Sequence, residues 1–67
     1  MNKLTVEEFN ELQKNIKIRD YSQEIVSYLL LLSNLCGRKR SKSLVEVAKI
    51  VREIEDESVD IIRKFIE

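Results

Sequence analysis

Histidine and proline are absent from this sequence, and glycine and cysteine occur once each, as Gly37 and Cys36. Without histidine and with a single cysteine, the common zinc ligand sets cannot be assembled and no intrachain disulfide can form. With no proline and one glycine there is almost no punctuation for hairpins or tight turns. Neither sign of charge dominates: 12 Lys and Arg balance 12 Asp and Glu, so no overall field draws in a polyanion. No phosphate-cradling glycine loop and no cysteine cluster is present. Cys36 has no base beside it in the sequence and reads as a small hydrophobe. Glu53, Glu55, Asp56, Glu57 and Asp60 point in several directions on a helix and lack the loop spacing of a calcium site. These absences predict a protein that is not an enzyme, with no cofactor, no metal and no small-molecule substrate.

What is present favours helices. Charged residues make up 36% of the chain, and the abundance of Leu, Ile, Glu, Lys and Arg suits helix formation. The same mix is compatible with a thermophilic source. The 67 residues make one helical domain, 1–67. A chain of this length buries only about 60% of its unfolded surface, so its stability must come from close helix packing or from association. Met1 to Phe9 is polar and acidic, not basic then apolar, and the apolar run after Ile25 is too short to span a bilayer. The expectation is a cytoplasmic protein with no membrane contact.

The run Ile25 to Gly37 is the most apolar in the chain and organises the rest. On a helix, Tyr21, Ile25, Tyr28, Leu29, Leu31, Leu32, Leu35 and Cys36 share one broad face. Val26 and Leu30 lie on the opposite side with Ser22, Gln23, Ser33 and Asn34. Apolar residues on two sides predict a central helix, covered on both. Before it, Thr5 and Glu8 form a capping box, and Val6, Phe9, Leu12 and Ile16 form one stripe, so a first helix is expected from Val6 to about Ile18. Asp20, with Gln23 three residues on, is the expected cap of a second helix from Tyr21 to Cys36, closed by Gly37 as a left-handed C′ residue. A single kinked helix through this region is the alternative.

Ser43 and Glu46 form another capping-box pattern, opening a third helix at Leu44. That helix carries Leu44, Val47, Val51, Ile54, Ser58, Ile61 or Ile62, and Phe65 at spacings of three and four. Glu55 and Ser58 fall in the middle of its apolar face. Either a fourth helix starts near residues 54–57, or the helix is continuous and Glu55 is solvated. The predicted fold is therefore all-α, a small antiparallel bundle of three helices, or four if the last one breaks.

Arg38, Lys39, Arg40 and Lys42 form the densest charge cluster, beside the amino end of the third helix, where a phosphate is favoured. Ser43 to Val51, Ile54, and Glu57 to Phe65 resemble a helix-turn-helix. The resemblance implies a DNA-binding regulator: Ala48 at the helix crossing, Val51, Ile54, Val59 and Ile62 buried, Glu57 to Phe65 as recognition helix, and phosphates held by the basic loop 38–42. Arg52 and Glu53 stand where that family has a turn glycine. Glu55, Asp56, Glu57 and Asp60 would meet phosphates and acceptor-rich base edges, which suits that helix better to protein than to DNA.

Apolar surface beyond what three helices can cover predicts contact with another chain. The expected function is a small interaction module, either a homodimer or an accessory subunit of a larger intracellular assembly that processes nucleic acid, as in replication or transcription. Val26, Leu30, Ile50 and Ile61 are the expected protein interface, and Arg38, Lys39, Arg40 and Lys42 the expected phosphate contact.

Overall fold

The computed structural model describes residues 3–66. Met1, Asn2 and Glu67, part of the expected 1–67 domain, lie outside the described residues. Two long helices make up the fold: α1, Val6–Leu35, and α2, Arg38–Ile66. A 30-residue helix is about 45 Å long, and the molecule measures 52 × 15 × 13 Å, so α2 folds back along α1 as an antiparallel hairpin.

The expected three- or four-helix bundle is therefore corrected to two helices. Asp20 does not cap. It lies inside α1, and its carboxylate accepts from Arg19 Nε at 3.1 Å. Residues 16–21 include no glycine or proline, and once a helix is nucleated each added residue contributes a hydrogen bond. A cap needs free N–H groups, and a helix already running through Asp20 leaves none. The same reason removes the pattern at Ser43 and Glu46: α2 already starts at Arg38, and Ser43 Oγ donates back to the Lys39 carbonyl at 3.5 Å. α2 also runs unbroken through residues 54–57, so neither a fourth helix nor the turn of a helix-turn-helix is formed.

The capping box at Thr5 is formed. Glu8 N donates to Thr5 Oγ1 and Thr5 N donates to Glu8 Oε1, both at 3.1 Å. Gly37 has a different role from the one expected. Its φ is not positive, and its carbonyl accepts from Ser41 N at 2.9 Å, the first bond of α2. It is thus the N-cap of α2, while Cys36, in extended conformation, caps α1. A Cβ on Gly37 would meet nothing within 4 Å. Gly37→Asp should therefore stabilise the protein by about 0.5–1 kcal/mol, through capping, the helix dipole and a less flexible unfolded chain. A thermal melt raised by a few degrees is the expected reading; a lowered one would remove Gly37 from the cap.

The helices meet along a seam with a seven-residue repeat. In α1 it is Leu12, Asn15, Arg19, Ser22, Val26, Leu29 and Ser33, ending at the cap Cys36. In α2 it is Ser41, Leu44, Ala48, Val51, Glu55, Ser58, Ile62 and Phe65, and all of these positions are buried or half-buried. Alternating steps of three and four mark a coiled-coil seam, but its content is unusual. The buried residues are Asn15, Ser22, Val26, Ser33, Ala48, Ser58 and Ile62, mostly small or polar. Small side chains let two helices approach closely, and two of the buried polar groups are satisfied by their own helix. Asn15 Nδ2 donates to the Glu11 carbonyl at 2.8 Å, and Ser33 Oγ to the Leu30 carbonyl at 2.7 Å. Glu55 and Ser58 do project to the middle of the packed face; Glu55 is half-buried there, not an overhanging solvated residue.

Candidate interaction site

With several of the buried seam positions taken by serine, asparagine and alanine, many of the large apolar residues are left outside. Beside the seam, α1 carries Ile18, Tyr21, Ile25, Tyr28, Leu32 and Leu35 at steps of three and four, and α2 carries Val47, Ile50, Ile54 and Ile61, with Glu57 between the last two. Tyr28 is 68% exposed, Leu35 85% and Ile50 58%; Ile18 and Ile61, nearest the seam, are half-buried.

Two clefts show that these stripes lie on the same side of the hairpin. At the open end, Glu11, Lys14 and Ile18 of α1 line a cleft of about 260 Å³ with Ile54, Glu57 and Ile61 of α2. Near the turn, Leu32 and Cys36 line a groove of about 590 Å³ with Lys39, Arg40, Ser43 and Leu44. Between them the stripes run side by side as one apolar face. The other side of the hairpin is weaker in apolar character: Leu30 sits in a small cleft with Val45, Ala48, Lys49 and Arg52, and Gln23 and Arg52 interrupt the row.

The four residues expected to form a protein interface are thus divided. Val26 is only 7% exposed and packs in the seam, so it is not available to another chain. Leu30 is on the weaker side. Ile50 and Ile61 belong to the apolar face. Sequence reasoning placed Tyr21, Ile25, Tyr28, Leu32 and Leu35 together but treated them as core, because a purely apolar stripe is normally the buried one. Leu30 and this apolar face lie on different sides of the hairpin.

Arg38, Lys39, Arg40 and Lys42 are all exposed and lie in the opening turns of α2, not in a loop. Cations are unfavourable at a helix N-terminus. Here they stand next to the C-terminus of α1, whose own last turn has no basic residue. The one ion pair among the described residues is Arg19–Asp20 at 3.1 Å, so these four cations have no acidic partner within the hairpin. Lys39 and Arg40 line the groove at the end of the apolar face.

Among the described residues no three metal-ligating side chains converge, and no helix is long and apolar enough to cross a membrane. The chain matches no family model, no curated protein and no solved structure. The fold and its exposed face define it as an antiparallel helical hairpin with one apolar side.

Proposed function

We propose that this chain is a non-enzymatic interaction module that works by covering its apolar face with another protein surface, as a homodimer or as an accessory subunit of a larger intracellular assembly. One observation carries the reading. Among the described residues the hairpin buries only Val26, Ala48 and Ile62 of its apolar side chains, none of them completely, while Tyr21, Ile25, Tyr28, Leu32, Leu35, Val47, Ile50 and Ile54 are exposed on one face. Full burial of a large aliphatic side chain contributes about 1.5–3 kcal/mol, and two of them with one alanine and a half-buried seam are a small core for a chain of this length. Large contiguous apolar patches on monomers are rare and mark interaction sites. Helices of a bundle show this wider stripe, with a third heptad position apolar beside the seam.

Helicity measured by circular dichroism during urea unfolding, over a hundredfold range of protein concentration, tests this. The expected result is a midpoint that falls on dilution, because association and folding are linked. A monomer with a cooperative, concentration-independent stability above about 5 kcal/mol would show that the hairpin needs no partner.

A further inference from the structure

We infer that the occupant of the apolar face is a second copy of this chain, turned end for end, so that two hairpins close into a four-helix bundle with their turns at opposite ends. This rests on the interaction reading above and adds the partner and its orientation. The first argument is area. Eight large apolar residues on the face, between 45% and 85% exposed and each offering on the order of 200 Å² in all, leave roughly 900 Å² per chain. Two copies covering each other remove about 1,800 Å², within the range of stable, specific interfaces. A two-fold axis requires one self-complementary patch, and a single face formed by both helices offers one.

The second argument is charge, and it selects the orientation. At the turn end the face is bounded by Lys39 and Arg40 with no acidic residue beside them. At the open end the same stripes carry Glu7, Glu11 and Glu57 against Lys14 and Lys64. A turn-to-turn dimer would place the cations of both copies together. Turning one copy end for end separates the two pairs of cations and puts Lys39 and Arg40 of each near Glu7, Glu11 and Glu57 of the other. It also supplies these cations with the counter-charges that the hairpin lacks.

Cys36, the single cysteine, lies at the turn and reports the orientation directly. The full chain, spin-labelled at Cys36, would be weighed by light scattering and its label separation measured by pulsed dipolar spectroscopy. A mass of two chains with a separation of about 30–40 Å, from the helical rise on either side of the face's centre, is the expected result. A two-chain mass with labels within about 20 Å of each other would overturn the orientation while leaving the interaction reading intact. A single-chain mass, for the labelled and the unlabelled protein alike, would overturn the second copy as occupant. The unlabelled double variant Lys39→Glu/Arg40→Glu is a check that does not depend on the label. Association should weaken by roughly threefold to tenfold if the cations meet a partner's carboxylates. It should tighten if turns meet turns, and that result would also overturn the orientation.

Discussion

Ile25→Asp is expected to dissociate the protein and remove most of its helicity at micromolar concentration, at a cost of about 3 kcal/mol or more. Ile25 is 46% exposed on the hairpin. Were that exposure final, a carboxylate there would be solvated, and the substitution would change stability by no more than about 0.5 kcal/mol. Covered by another chain, the same carboxylate is buried among Tyr21, Tyr28, Leu32 and its counterparts without a partner. The two situations differ by several kcal/mol, so one variant separates them. Ser27→Asp is the control. Ser27 is also exposed, two residues along the same helix and away from the face, and its replacement should leave mass and melting temperature nearly unchanged. Light scattering and thermal denaturation of the two variants side by side give the answer. Equal behaviour of Ile25→Asp and Ser27→Asp would leave the apolar face without an occupant.

Ala48→Leu is expected to destabilise the hairpin by about 1–3 kcal/mol, even though it adds apolar surface. Ala48 is 3% exposed and stands in the seam, where α2 approaches α1 through serines and alanine. Three extra carbons there crowd the seam, with only the cleft of about 100 Å³ beside Leu30 to relieve them, and would push the helices apart. Glu46→Leu, on the outer side of α2, adds a similar side chain without that crowding and should stay within about 0.5 kcal/mol of the starting protein. Thermal unfolding reads the difference, at about 4–8 °C per kcal/mol for a domain this small. A neutral Ala48→Leu would mean that the seam is looser than its small side chains imply.

Much of the local structure was legible residue by residue. The Thr5 and Glu8 capping box fixed where α1 begins, because two neighbouring side chains satisfy free N–H groups there whatever the rest of the chain does. The absence of proline and near-absence of glycine pointed to helices throughout. The helix ends at Asp20 and Ser43 were misread for a common reason. A cap-forming residue permits a helix to start but does not stop one that is already running, and nothing in residues 16–21 or 38–46 opposes continuation. Gly37 marked the turn correctly but not its geometry, since a glycine can serve as an N-cap as readily as a left-handed terminator.

The sequence by itself determined that this protein is helical, where α1 begins and that the chain turns at Gly37, because these follow from local propensity and capping. It also suggested a break near Asp20 that the structure does not contain, and it joined Leu44, Val47, Val51 and Ile54 in one stripe that the structure divides between the seam and the outer face. Which stripe faces which was decided only in three dimensions. Two helices of about equal length can pack through their small residues or through their large ones, and the periodicity is the same in both cases. The tertiary structure puts Ser22, Ser33, Ala48 and Ser58 inside, and the Ser33 hydroxyl is satisfied by its own helix. It leaves Ile25, Tyr28, Leu32 and Ile50 outside, on a surface whose burial requires another chain.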